Sequence, residues 1–267
     1  MNGAIPGALA RGGGWALDAL DLVGSLARLG WSALQSLGRS LARLQPLRWR
    51  EIVRQMLEAG NRSLPLVGLI SALIGMILAL QSAYQLRQFG ATDLVANLVA
   101  ISVTRELAPL LAAIVVAGRV GSAIAAELGT MRVNEEIDAL TVIGIDPVSF
   151  LVVPRILGLL VTLPCLTAFA DALGILGGFL VATFGLGMAP LPYLRASLDA
   201  LVLEDIFGGL LKAACFALVL GLVGCQRGLS VRGGPEQVGR ATTSAVVTSI
   251  LLVILVDLGV TAILYVR

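Results

Sequence analysis

The segment SLPLVGLISALIGMILALQSAYQL, residues 63–86, decides the fold because it carries no charged residue. A helix that crosses the hydrocarbon core of a bilayer needs about 20 consecutive, mostly apolar residues, and this segment supplies them. It is therefore predicted to be a membrane span. The whole chain agrees, since 57% of its residues are hydrophobic and only 13% are charged. Soluble domains carry about 25% charged residues.

Four further segments are apolar and long enough to cross a membrane. A loop with short helical pieces, residues 185–205, is predicted to separate the third span from the fourth because it contains two prolines. The sequence thus predicts an all-α integral membrane protein, with a five-span domain over residues 51–267. The predicted spans are residues 63–86, 94–118, 156–184, 206–226 and 241–266.

The N-terminal region, residues 1–50, has a different pattern. Polar side chains recur there at steps of three or four residues, which is the spacing of one helix face. Together with Trp15, Trp31 and Trp49, this predicts an amphipathic helix lying in the membrane interface. An amphipathic helix packed against the rest of the protein explains the pattern equally well. Pro46 is expected to end the helix.

The distribution of arginine predicts the orientation in the membrane. No apolar core of a signal peptide precedes Asp18, so the N-terminus is expected to stay in the cytoplasm. Five spans then place the C-terminus outside. On this topology fourteen arginines lie on the cytoplasmic side, three lie outside and Arg105 lies within the membrane. This asymmetry agrees with the positive-inside rule.

Several function classes are excluded by residue types. The chain has no histidine, so histidine-based catalysis and histidine-ligated metals are ruled out, and the cysteines show no metal-binding spacing. A net charge of +2 is too small to indicate nucleic-acid binding. No GxxxxGK[ST] motif is present, so if ATP drives transport here, another chain must bind the ATP. We therefore expect a non-enzymatic chain with no metal or cofactor of its own.

Five charged residues are predicted to lie in the outer half of the membrane, where such charges usually face one another or a water-filled cavity. In one interpretation they form structural pairs, for example Lys212 with Asp257. In the other they line a hydrophilic cavity that accepts a polar headgroup. The adjacent pair Arg105 and Glu106, with Pro109 one turn later, favours a functional role. The five residues are Arg105, Glu106, Asp171, Lys212 and Asp257.

A polar segment, AGRVGSAIAAELGTMRVNEEIDAL over residues 117–140, interrupts the apolar sequence on the cytoplasmic side. If residues 125–140 form one helix, Glu127, Asn134 and Asp138 share a stripe, with Met131 and Glu135 beside it. Such an acidic amphipathic helix suits docking into a groove on a partner. A solvated helix that only connects two spans is the alternative.

These residues also carry a family resemblance. The sequence RELAPLLAAIVVAGRVGSAIAAELGTMRVNEEIDALTVIGIDPVSFLVVPR, residues 105–155, resembles the permease subunits of the Mla/MCE-type ABC lipid transporters, the YrbE-like family. The resemblance continues through LPCLTAFADALGILGG, residues 163–178, and GRATTSAVV, residues 239–247. It extends over about residues 60–265.

The resemblance implies a homodimeric core that moves phospholipid between a bacterial inner membrane and a periplasmic partner, maintaining outer-membrane lipid asymmetry. It implies two cytoplasmic ABC ATPase subunits that hold ATP and Mg, a periplasmic hexamer of MCE domains and a small STAS-domain protein. The lipid-binding residues would be Leu80, Tyr84, Arg105 and Glu106. The ATPase-coupling residues would be Glu127, Met131, Arg132, Asn134, Glu135 and Asp138.

Two other functions remain open from the sequence. One is a secondary transporter that couples to ion gradients through Asp171, Lys212 and Asp257, although five spans give no inverted repeat. The other is a structural membrane anchor for a periplasmic assembly. A single tyrosine at the end of a span often anchors the helix at the membrane interface, so Tyr84 can also be explained without a binding role.

Overall fold

The computed structural model describes the backbone of residues 5–42 and 48–265, and the side chains of residues 20–39 and 48–264. This part of the chain is helical, without strands, and five of its helices are long and apolar enough to cross a membrane. The predicted fold class is confirmed. The helices are α1 Ile5–Ala42, α2 Trp49–Arg87, α3 Thr92–Val133, α4 Glu136–Val142, α5 Val148–Gly185, α6 Pro190–Ala200, α7 Leu203–Leu229 and α8 Pro235–Tyr265.

The helices extend beyond the apolar segments that predict them. The 42 residues of α3 span about 63 Å at 1.5 Å per residue, twice the thickness of a hydrocarbon core of about 30 Å. The first 17 of the 24 residues in the polar segment 117–140 are therefore a direct continuation of the second span. A π-helical turn at Ala117–Gly121 carries the chain from the apolar part into the polar part without a break.

The expectation of one helix over residues 125–140 is wrong. α3 ends at Val133, and Glu135 adopts a left-handed conformation with φ of 59° before α4 begins. Asn134 still donates its backbone N–H to the Thr130 carbonyl, closing the last turn of α3. Left-handed φ is uncommon for a non-glycine residue and changes the chain direction. The polar segment thus forms a helix end, a tight turn and a short second helix.

Small residues allow α2 and α5 to pack closely. A Cβ atom built on Gly75 would lie 1.9 Å from the Gly174 carbonyl oxygen, and one on Gly177 would lie 2.1 Å from the Ala72 oxygen. The two backbones are therefore in direct contact, as in membrane helix pairs built on small residues. The loop helix α6, which confirms the helical pieces expected in residues 185–205, buries Tyr193 against Phe179 of α5.

α7 packs in the same way against residues 117–133, which we call the polar half of α3. A Cβ on Gly228 would lie 2.7 Å from Leu128 Cβ, and one on Gly224 would lie 3.2 Å from the Gly121 oxygen. α8 packs on α7 and α3 and is the least buried of the five long helices. The C-terminal part of α7 therefore packs on the polar segment, and the N-terminal end of α7 lies at the opposite end of the helix.

α1 lies against the five-helix core on one side only. Ala33 and Ser36 are buried, and Ser36 donates its hydroxyl to Asp146 Oδ2 at 3.1 Å. The opposite side exposes large apolar side chains, which suits the predicted interfacial position. Residues 43–47, with the break expected at Pro46, and the side chains of Trp15 and Asp18 lie outside the described residues. The exposed side chains are Leu20, Val23, Trp31 and Leu34.

Candidate functional site

A π-helical turn over Val103–Leu107 positions the adjacent charges Arg105 and Glu106 in α3. Pro109 has no N–H to donate to the Arg105 carbonyl in the α-helical register. Lys212 of α7 donates to that carbonyl instead, with its Nζ 3.1 Å from the oxygen. The sequence pattern of two charges followed by a proline therefore creates a backbone acceptor that a neighbouring helix satisfies.

Lys212 joins three helices. Its Nζ lies 2.5 Å from Glu106 Oε2 of α3 and 3.1 Å from Asp257 Oδ1 of α8. The Lys212 side chain is 0% exposed, so its charge is held by protein groups and not by water. Thr261 of α8 donates its hydroxyl to the other Glu106 oxygen at 3.2 Å. The second, fourth and fifth spans are thus connected at one depth.

A second ion pair lies beside the first. Arg105 Nε is 2.6 Å from Asp205 Oδ1, in the first turn of α7. The Asp205 side chain is only 2% exposed, whereas that of Arg105 is 38% exposed. The sequence prediction missed Asp205 by assigning it to the loop. Glu204 and Asp205 directly before an apolar segment are the signal that indicates a helix start there.

Four of the five predicted intramembrane charges therefore lie together, and Asp205 is a fifth charged residue in the same group. We call these five residues the charged cluster. The Lys212–Asp257 pair suggested by the sequence is present. Asp171 is separate from the cluster: it forms no hydrogen bond or ion pair with the described part of the chain, and its Oδ1 is buried. The charged cluster consists of Arg105, Glu106, Asp205, Lys212 and Asp257.

The charged cluster presents one cation and one anion while burying their partners. The side chains of Arg105 and Glu106 are 38% and 37% exposed, and their counter-ions Asp205 and Lys212 are almost fully buried. Buried counter-ions hold the exposed groups in place, because leaving either charge without its partner in a low-dielectric interior is costly. The arrangement can therefore offer a guanidinium and a carboxylate to a polar ligand from the membrane.

Leu80 and Tyr84 lie elsewhere, on the exposed face of α2. They line a groove of about 500 Å³ together with Arg87 and Met188. Arg105 and Glu106 are not among the residues that line it. α2 packs against α5 and α3, whereas the charged cluster lies where α3 packs against α7 and α8. One copy of the chain thus divides the four predicted lipid-binding residues between two places.

The predicted coupling residues lie around the turn between α3 and α4. Glu127 forms a 2.8 Å ion pair with Arg155 of α5, whose side chain is 5% exposed and also donates to the Leu151 carbonyl at 2.7 Å. Arg132 forms an ion pair with Asp138 across the turn. Met131 and Arg132 are half-buried, while Asn134, Glu135 and Asp138 are exposed.

Two apolar side chains extend this polar surface. Val142 and Ile143, at the end of α4, are 86% and 68% exposed. The sequence interpretation did not single them out, although large apolar residues beside an acidic turn are a recognisable signal of a docking surface. We call the exposed residues Asn134, Glu135, Asp138, Val142 and Ile143 the turn surface.

Comparison with known proteins gives a consistent result. The profile of the family described as Permease MlaE matches residues 52–263. A probable ABC transporter permease protein of Rickettsia typhi is 41% identical over 220 residues, covering 82% of this chain and 85% of the relative. A protein of the same description from Synechocystis is 39% identical, covering 76% of this chain and 78% of the relative.

A plant protein is also similar. Protein TRIGALACTOSYLDIACYLGLYCEROL 1, chloroplastic, of Arabidopsis thaliana is 34% identical over 211 residues, covering 79% of this chain and 60% of the relative.

Proposed function

Since this chain belongs to the MlaE permease family, with relatives named as ABC transporter permeases, we propose that it moves phospholipid across or out of a bacterial inner membrane. The chain is the membrane-spanning part of an ABC transporter. ATP binding and hydrolysis take place on a separate ATPase subunit. The observation that carries the proposal is the charged cluster, with exposed Arg105 and Glu106 on buried counter-ions.

A phospholipid headgroup matches the charges that the cluster offers. The guanidinium of Arg105 binds the phosphate, since arginine suits phosphate geometry. Glu106 positions or balances it and can accept hydrogen bonds from the rest of the headgroup. Intramembrane charges that point away from lipid tails commonly mark a substrate path. The name of the Arabidopsis relative includes a glycerolipid, which also favours a lipid cargo.

The energy of ATP reaches the cluster through α7. The turn surface contacts the ATPase, and the polar half of α3 that precedes it packs directly on Gly224 and Gly228 of α7. The 27 residues of α7 form one helix of about 40 Å, and its first three turns carry Asp205 and Lys212 of the charged cluster. A movement of the turn surface can therefore shift Asp205 and Lys212 relative to Arg105 and Glu106. Such a shift changes how the cluster presents its charges to a headgroup.

The proposed complex follows the family resemblance. Two copies of the chain form the membrane core, each bound to an ATPase subunit, with an MCE-domain hexamer on the periplasmic side and a STAS-domain protein in the cytoplasm. The N-terminus lies in the cytoplasm, as the arginine distribution predicts. In such a dimer the exposed face of α2, with Leu80 and Tyr84, supplies an apolar wall for the lipid tails. The complex maintains the lipid asymmetry of the outer membrane.

Membership of the family argues against an ion-coupled secondary transporter. The charges that such a mechanism would use do not form a single relay, since Asp171 is separate from Lys212 and Asp257 among the described residues. A purely structural anchor would not need Arg105 and Glu106 to be partly exposed while their ion-pair partners, Asp205 and Lys212, are buried.

The first experiment tests the coupling surface. The chain is purified with its ATPase subunit, and the charges of Glu135 and Asp138 are reversed to lysine. We expect the double variant to lose co-elution with the ATPase. The matched control reverses Asp199, an exposed acid on α6, and is expected to retain it. If the reversed turn still co-elutes, or if the lone chain is fully active, the ATP-driven proposal is wrong.

The second experiment tests the lipid site. Native mass spectrometry measures the phospholipid retained by the complex in wild type, Arg105→Ala and Glu106→Ala. We expect both variants to retain less phospholipid than the wild type. The control Arg195→Ala, which changes an exposed arginine on α6, is expected to retain as much as the wild type. Retained lipid and unchanged transport in both cluster variants would remove Arg105 and Glu106 from the site.

A further inference from the structure

A separate groove lies at the end of α7 far from the charged cluster. There α1 packs against α7, and the first half of α8 closes the side. The groove has a volume of about 710 Å³. The residues that α1 and α7 contribute are polar except for Leu22, and those from α8 are apolar except for Thr248. We call the part formed by α1 and α7 the polar end and the part formed by α8 the apolar end.

The polar end contains two arginines on different helices. Arg28 of α1 and Arg227 of α7 both line the groove, and neither forms an ion pair with another described residue. Arg227 donates from Nη2 to Thr248 Oγ1 at 3.1 Å. Asp21 lines the same groove and offsets one of the two positive charges. The lining side chains still carry a net positive charge.

Two buried polar atoms at this end have no partner among the described residues. They are the Nε of Arg227, a donor, and the Oε1 of its neighbour Gln226, an acceptor. Buried polar groups are normally hydrogen-bonded, because leaving them unsatisfied is costly. Both residues line the groove, so a rotation of their side chains would bring these two atoms to a ligand that accepts and donates hydrogen bonds.

The apolar end continues along α8. Val247 and Leu251 line the groove and are 61% and 54% exposed. Leu255 and Leu258 follow on the same side of the helix, 55% and 68% exposed. From Val247 to Leu258 the helix rises about 16 Å. An extended hydrocarbon chain fits a track of that length and composition.

We propose that this groove binds one phospholipid of the leaflet on the α1 side of the membrane. Its phosphodiester lies between Arg28 and Arg227, a headgroup hydroxyl donates to Gln226 Oε1, and an acyl chain follows the leucines of α8. The lipid thereby ties α1 to α7 and α8. This site is independent of the transported cargo, since Arg227 lies 15 residues after Lys212 on α7, about 22 Å along the helix.

The test is a titration of the detergent-purified full-length chain with phosphatidylglycerol, followed by native mass spectrometry. In Arg28→Gln/Arg227→Gln we expect the affinity of one bound lipid to fall about tenfold to a hundredfold. The matched control is Arg39→Gln, because Arg39 also lies on α1 but, among the residues that the structure describes, bonds only to Gln35 and Ser36 of its own helix. Wild-type affinity in the double variant overturns the proposal.

Two further measurements keep the test decisive. Arg28 is exposed, so Arg28→Gln alone should fold normally and still weaken the lipid. If Arg105→Gln removes this lipid and Arg28→Gln does not, the lipid belongs to the charged cluster and the present proposal is wrong.

The other measurement is disulfide formation between two copies of the chain through Leu251→Cys, with Cys165, Cys215 and Cys225 replaced by alanine. Efficient dimer crosslinking would show that a second copy covers the groove, which also contradicts the proposal.

Discussion

Replacing Lys212 by methionine tests whether the charged cluster is a buried electrostatic unit. Methionine keeps an unbranched side chain of similar length, so the packing of the stem changes little while the charge is lost. The variant leaves Glu106 and Asp257, both within 3.1 Å of the former ammonium, without a cation between them. It also leaves the Arg105 carbonyl without its donor from α7.

The magnitude follows from the burial of Lys212, whose side chain is 0% exposed. Removing one partner of a buried ion pair costs about 3–5 kcal/mol. We expect a loss of about that size in the free energy of unfolding. The triple variant Lys212→Met/Glu106→Gln/Asp257→Asn removes all three charges together. It should recover at least half of the loss, because no carboxylate is left without a partner.

Unfolding in mixed micelles with increasing SDS, followed by far-UV circular dichroism, measures these values. Arg240→Met is the matched control, since Arg240 and Glu236 form an ion pair whose side chains are 70% and 78% exposed. Such exposed pairs contribute at most about 1 kcal/mol. A loss for Lys212→Met no larger than the control would refute the buried unit. A triple variant as unstable as the single one would assign the loss to packing instead of charge.

Two further predictions concern packing and coupling. Gly75→Ala places a Cβ 1.9 Å from the Gly174 oxygen, so α2 and α5 must separate, and we expect a destabilisation of about 1–3 kcal/mol or more in the same unfolding assay. Gly259→Ala, with open space around it, should cost nothing, and equal effects of the two substitutions would contradict the close-packing account. Arg155→Gln breaks the pair with Glu127 at the start of α5. We expect ATP hydrolysis by the complex to continue with reduced lipid transfer, and Arg155→Lys to restore part of it; unchanged transfer in Arg155→Gln would contradict a coupling role.

The number and positions of the spans could be predicted because hydropathy reports directly on the requirement to cross a bilayer. The extension of α3 to Val133 could not be predicted in the same way. Once a helix leaves the membrane, hydropathy no longer distinguishes it from a polar loop. The left-handed Glu135 was missed as well, because no glycine marks the turn and Asn134, which can signal a helix end, was assigned to a helix stripe instead.

The partners of the intramembrane charges were only partly predictable. Charges at similar depth suggested Lys212 with Asp257, and that pair is present. Depth alone does not report the direction in which a side chain points around its helix. For this reason Asp171, at similar depth, was grouped with residues from which it is separate, while Asp205 was missed at the edge of a predicted loop.

The most direct test of the account is lipid transfer by the complete transporter in proteoliposomes, measured with a fluorescent phospholipid in the presence and absence of ATP. The account predicts ATP-dependent transfer that requires the ATPase subunit. It also predicts that Arg105→Gln/Glu106→Gln lowers transfer strongly while the control Arg195→Gln does not. Transfer by the lone chain without ATP, or wild-type transfer by the cluster double variant, would contradict it.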